Sequence, residues 1–206
     1  MAIRDDWAAG EVLTSTDLND TFDAKANLAS PTFTGTVDMS GATVIGAGMD
    51  FVAAGSMSAV SVNIDNVFTA DYENYLLIIR ANGVSAQALR MVLRDSTPAD
   101  IAASSYRNNQ VFWIGTSASA SNSTDAYVEV SAVRATNPGY AKIDILGPNL
   151  SVKTGFIIDA IDPDTTMTHR RNVCYYDVTT VAAGIRIFTP STTITGHYYL
   201  YGYRAA

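Results

Sequence analysis

Residues 27–48 read NLASPTFTGTVDMSGATVIGAG, and no self-sufficient domain can be built on such a run. Pro31 forbids a continuing helix and pushes Ser30 toward extended backbone. The β-compatible pieces, residues 32–37 and 42–45, are short and are punctuated by Gly35, Gly41 and Gly46. They carry too few apolar groups to bury a core within one chain. They become stable only where copies of the chain wrap around each other, or where another protein covers them. The run therefore reads as part of a connector, residues 27–57. It joins a small N-terminal segment, residues 1–26, to a long β-rich region, residues 58–206.

The N-terminal segment reads as a docking device built on one short helix. Ser15 or Thr16 can cap it, and Asp17 and Asp20 lie in the first turn, where the helix dipole favours negative charge. Leu18, Phe22 and Ala26 recur every four residues and form one narrow apolar stripe. A helix of about ten residues is unstable alone in water, so the stripe needs a partner. Trp7, Val12 and Leu13 just ahead of it are also more apolar than a solvated terminus requires. Attachment to a larger assembly through Trp7, Leu18 and Phe22 is one reading; folding back onto the chain's own β region is the other.

Beyond residue 58 the pattern is almost purely β. Strands are expected at residues 59–64, 75–82, 88–94, 105–115, 126–134, 141–146, 155–161, 172–177, 184–189 and 194–203. Leu89, Met91 and Leu93 share one face, and Arg90, Val92 and Arg94 the other. Residues 75–79 are apolar on both faces, which predicts a sheet covered on both sides. Turn-forming clusters at Pro98, Pro138, Pro148 and Pro163 separate the runs. Eight to ten strands with no helical pattern between them predict a two-sheet sandwich, jelly-roll-like in topology. The fold class is mainly β.

Composition narrows the partners. In 206 residues, 48% hydrophobic content excludes a largely disordered chain, while 16% charged is low for a free-standing soluble domain and suits a surface partly covered by sister subunits. A net charge of -7 argues against nucleic acid, whose binding rests on phosphate neutralisation. No apolar run is long enough for a membrane helix, and the opening MAIRDDW does not read as a signal peptide. Cys174, the single cysteine, cannot form an intrachain disulfide and is expected as a buried thiol.

Chemistry-bearing patterns are sparse. His169 and His197 lack neighbours at metal-ligand spacing. Asp159, Asp162 and Asp164 cluster and could hold a hard cation, but Pro163 between two of them reads first as a turn. No nucleotide-binding or nucleophile-elbow motif occurs, so neither cofactor nor metal is expected and the chain is read as non-enzymatic. Two features suggest contact surfaces instead. Residues 116–125, TSASASNSTD, read as a polar loop, either a solvated tip or a recognition surface. Its candidate contacts are Ser117, Ser119, Ser121 and Asn122, flanked by Trp113 and Tyr127. In the last strand Thr195, His197, Tyr199, Tyr201 and Tyr203 share the non-core face. Tyrosines buried between subunits keep their hydroxyls satisfied, so Tyr199, Tyr201 and Tyr203 are expected at a subunit interface, with sugar stacking as the second reading.

The words LASPTFTGTV and, ahead of them, DDWAAGEVLTSTDLNDTF resemble elements of tailed-bacteriophage fibre proteins. FTADYENYLLIIRA and HYYLYGY are similar, more loosely, to head strands of phage receptor-binding proteins. The resemblance implies a trimeric neck, with Pro31, Phe33 and Val37 at its interface, below an outward-facing head. It implies a virion protein that attaches to other virion proteins by its N-terminus and meets a glycan or protein of the host surface. A purely structural collar, baseplate or capsid-decoration protein is the competing class. A depolymerase is a third, disfavoured by the short length and the lack of repeats.

Overall fold

Alternating apolar and polar residues resolve into twelve strands in the computed structural model, which describes residues 48–101, 104–162 and 167–204. All lie in the second of the chain's two units, Gly46–Ala206. The expected N-terminal helix and neck, with Trp7, Leu18, Phe22, Pro31, Phe33 and Val37, lie outside the described residues. In chain order the strands are β1 (Met49–Ala59), β2 (Ser61–Ile64), β3 (Tyr72–Gly83), β4 (Gln87–Arg94), β5 (Tyr106–Ile114) and β6 (Ser117–Asp125). They continue as β7 (Val128–Val133), β8 (Gly139–Leu146), β9 (Lys153–Asp162), β10 (Thr168–Thr179), β11 (Gly184–Phe188) and β12 (Ile194–Arg204).

Two antiparallel sheets form a β-sandwich-like fold. The large sheet runs β1-β12-β3-β8-β9-β10-β5-β6, and the small one β2-β11-β4-β7. The chain crosses repeatedly between them, so neighbours in sequence face each other across the core. Tyr75, Leu77 and Ile79 of β3, Ile143 and Ile145 of β8, and Phe156 and Ile158 of β9 supply one wall of that core. Leu89, Met91 and Leu93 of β4, Ile185 and Ile187 of β11, and Val128 and Val130 of β7 supply the other. These are the period-2 positions of each strand, which is why alternation was sufficient to find them. Cys174 is a buried free thiol in the same core, as its place in an alternating strand requires.

Two readings are corrected. Residues 49–57 are not connector. They form most of β1, laddered on β12 from Met49 opposite Tyr203 to Ala59 opposite Ile194. Ala, Gly and Ser fill much of β1, so its alternation is faint; the ladder to β12 holds it, with Met57 buried in the core. Residues 117–125 are not a loop. They are β6, paired with β5 without a break from Ile114 opposite Ser117 to Tyr106 opposite Asp125. Gly115 and Thr116 form the two-residue connection, and Gly115 has φ +59°. A positive φ at the first loop position is what a type II′ hairpin turn demands and what glycine supplies most readily.

Polar ties close the ends of the sandwich. The Tyr106 hydroxyl donates to the Ile101 carbonyl and accepts from the Leu93 N–H, each at 2.9 Å, fastening the segment after β4 to the core. Arg94, only 6% exposed, is held by Asp65, by Asp100 and by the Pro98 carbonyl. A buried guanidinium persists only when so paired.

Two outcomes follow from this packing. Gly196 in β12 has φ +142°, and a Cβ there would lie 2.0 Å from the Arg80 carbonyl oxygen. Gly196→Ala should therefore destabilise the fold by about 1–3 kcal/mol, read as a lower urea midpoint. Burial also pushes the Cys174 thiol and the Tyr106 hydroxyl well above their ordinary values. The unfolded chain then releases these protons first as pH rises, so stability is whole below about pH 8.5 and drains away above it, first through the thiol and then, past about pH 10, through the tyrosine. Urea titrations across pH 7–11 should show the decline, and Cys174→Ala should move its onset toward pH 10.

Candidate binding surface

The outer face of the large sheet is the surface that the described chain leaves open. Register defines its rows. One runs across six strands as His197, Arg80, Tyr140, Ile161, His169 and Trp113. The next carries Tyr199, Ile78, Lys142, Asp159, Arg171 and Val111. Phe51 of β1 stands opposite Tyr201, ring against ring edge at 6.0 Å. Phe51 is 62% exposed, and Ile78, Tyr140, Ile161, Val173 and Tyr199 are exposed on the same face. Single exposed apolar side chains are ordinary; a contiguous set marks an interaction surface.

The face has two ends of different character. Near β1 and β12 it is aromatic, with Tyr201 between Phe51 and the apolar Leu76, and with the Tyr203 hydroxyl donating to Asp144 at 2.8 Å. Burial and that carboxylate both hold the Tyr203 hydroxyl above its usual pKa. Between the ends a shallow, mostly apolar hollow of about 510 Å³ is lined by Ile78, Tyr140, Ile161 and His169, with Arg80 and Lys142 among its charged neighbours. Near β10, β5 and β6 the face becomes polar. Trp113 stacks on His169 at 5.1 Å with the rings 15° apart. Arg107, Asn109, Asn122, Thr124 and Tyr175 surround a second hollow of about 490 Å³. Its rim is charged: Asp177 accepts from Lys153 and Arg107, and the Lys153 hydrogen bond is the larger reason its carboxyl lies below the usual range.

The sequence candidates separate in space. Tyr199, Tyr201 and Tyr203 do share the outer face. Trp113 shares it too, at the far side of the same sheet, but the serines do not. Register puts Ala118, Ala120 and Asn122 on Trp113's side of β6 and turns Ser117, Ser119 and Ser121 to the opposite side. Tyr127 lies just ahead of β7 and packs on small-sheet side chains, stacked under Arg90 and edge-on to Phe188. Trp113 and Tyr127 therefore do not flank one site, because the chain crosses to the small sheet between β6 and β7. Asp159 reaches toward Arg171 on the outer face, while Asp162 turns inward to Arg134. Strand positions on opposite faces of β9 cannot share a cation, and Asp164 lies outside the described residues. No group of three metal-ligating side chains converges among the described residues.

Periodicity did not reveal a polar layer beneath the second hollow. Arg170 reaches both Gln110 and Glu129 across the sheets. Asn108 accepts from Asn172 at 3.2 Å and donates to Asp125 and the Tyr127 carbonyl. Asn, Gln and Arg at alternating inward positions of β5 and β10 were its only sequence signal. Because β6 covers β5 and Asp125 enters this layer, replacing residues 117–123 with a short turn should not be neutral. It should lower stability by roughly 1–3 kcal/mol and promote aggregation through the bared β5 edge, measured by urea unfolding and light scattering.

No protein-family model, curated protein or solved structure matches this chain.

Proposed function

We propose that the chain is the subunit of a homotrimeric bacteriophage fibre or spike. Its N-terminal segment docks to other virion proteins, the LASPTFTGTV neck trimerises, and the β-sandwich is a head for host-surface binding. The carrying observation is the open outer face of the large sheet. β3 lies in mid-sheet and is apolar on both sides, yet Ile78 on its outer side is exposed. A strand of that composition belongs under cover, and sister subunits supply it. The aromatic end, Phe51 with Tyr199, Tyr201 and Tyr203, is the part we assign to the trimer. The polar end around Trp113, His169 and Tyr175 is the part we assign to a host glycan or protein.

The small-sheet order β2-β11-β4-β7 supports a jelly-roll reading of the head. The first strand of the wrap lies beside the last, and the third beside the sixth when β8–β10 are taken as one expanded strand position. In this account the chain works by contact and not by catalysis. Individual head contacts would be weak, and three copies on one fibre would raise avidity by roughly 10²–10⁴ where all can engage.

Light scattering after size exclusion tests the assembly. The full chain should elute at about three times its 22.0 kDa mass. Phe51→Glu with Tyr199→Glu should keep the fold, since both side chains lie outside the core, and weaken the trimer at least tenfold. A wild-type monomer at micromolar concentration would sink the proposal. With the trimer intact, Trp113→Ala should reduce adsorption of particles to host cells; unchanged adsorption would favour a structural collar or baseplate role.

A further inference from the structure

The outer face of the small sheet carries a cation–aromatic cluster. Arg90 of β4 lies over the Tyr127 ring, 4.0 Å from its centroid, and Arg186 of β11 lies over the Phe188 ring at 4.5 Å. The two rings meet edge-on at 6.3 Å, so the four side chains form one array from Arg90 to Arg186. Both guanidiniums are partly buried.

Ion pairing here is uneven. Arg186 pairs with Asp100 at 2.6 Å, but Asp100 also serves Arg94, which takes Asp65 as well. Arg94 and Arg186 thus share two carboxylates between them. Arg90 has no carboxylate among the described residues. Its cross-strand neighbour is Glu129, whose carboxylate turns to Arg170 of the large sheet instead. The Nε atoms of Arg90 and Arg186 are closed off from solvent and lack an acceptor. Stacking on a ring orients a guanidinium without neutralising it, and its planar fork then suits a carboxylate or phosphate.

We infer that Arg90 and Arg186, set by Tyr127 and Phe188, form a binding site for an oxyanion, a carboxylate or a phosphate group carried by a ligand. Recognition is through side chains alone, because the backbone of β4 and β11 is engaged in the ladder. The site is on the sheet opposite Trp113 and stands whether or not the chain is a fibre head.

The test uses the full chain with ¹⁵N-labelled arginine. The Nε–H signals of Arg90 and Arg186, assigned with Arg90→Gln and Arg186→Gln, are followed during addition of glucuronate, glucose 6-phosphate or glucose at constant ionic strength. Saturable movement with an acidic sugar and none with glucose is expected, and the stronger of the two acids identifies the oxyanion. Arg90→Gln should weaken binding at least tenfold, read on the Arg186 signal. Arg90→Lys should retain part of it, which separates a charge contact from a folding defect. Signals that stay still, or that move equally with sodium chloride, would overturn the site.

Discussion

Eight strands face four. At about 4.8 Å between strands the large sheet is roughly 38 Å wide and the small one about half that, so the small sheet cannot cover its partner. The chemistry of the inner face changes where cover ends. Beneath β11, β4 and β7 it is Ile, Leu, Val and Phe. On β5, at the margin, it becomes Tyr106, Asn108 and Gln110, with Asn172 and Arg170 beside them on β10. On β6, beyond the margin, it is Ser117, Ser119, Ser121 and Ser123, all exposed. Residue type thus tracks distance from the second sheet: apolar where dry, hydrogen-bonding where partly dry, small and polar where wet.

That gradient makes the outer face stand out, since apolar side chains persist there without cover from the described chain. Phe51, Ile78, Tyr140, Ile161, Val173 and Tyr199 are spread across the sheet, including its centre, with no second layer above them among the described residues. The charges between them are paired in short reach, Lys142 with Asp144 and Arg171 with Asp159, at 3.6 and 3.7 Å. Such pairs add little to the stability of a lone chain in water. They suit a face that is partly dry in use, which is why the proposed assembly assigns it to contact.

Much of the sandwich was legible because burial on one side of a strand writes itself as alternation. Leu89, Met91 and Leu93 could be assigned to the core from spacing alone. The opposite side of the same strand could not: Val92 and Arg94 are buried as well, and Arg94 is so because Asp65 and the segment after β4 close over it. β6 escaped notice because its side chains are small, polar and wet on both sides, so no burial was available to write a pattern. Its one signal was the two-residue spacing of Gly115 and Thr116 between runs of β character. The binding surface was half legible. The tyrosine row of β12 follows from alternation, but the placing of Trp113 and Tyr127 depends on which sheet each strand joins, and alternation carries no information about that.

The margins of the large sheet raise the same question as its face. A free edge normally carries Lys, Pro, an inward charge or a bulge that discourages further pairing. β6 has none of the first two, runs in unbroken register with β5, and reaches its only charge at Asp125, which is drawn inward to Asn108 and Ser123. Its small side chains present no steric bar to a neighbouring strand. At the other margin β1 has a bulge between Phe51 and Ala53 but likewise no Lys or Pro. Sequences that must remain soluble as lone chains are selected against such edges, since each is a template for unwanted pairing. An open edge beside an open apolar face is tolerable where assembly covers both soon after synthesis. The β1 edge and the aromatic face beside it are independent features of the chain, one a matter of backbone hydrogen bonds and the other of side-chain burial, and the same proposed trimer accounts for both.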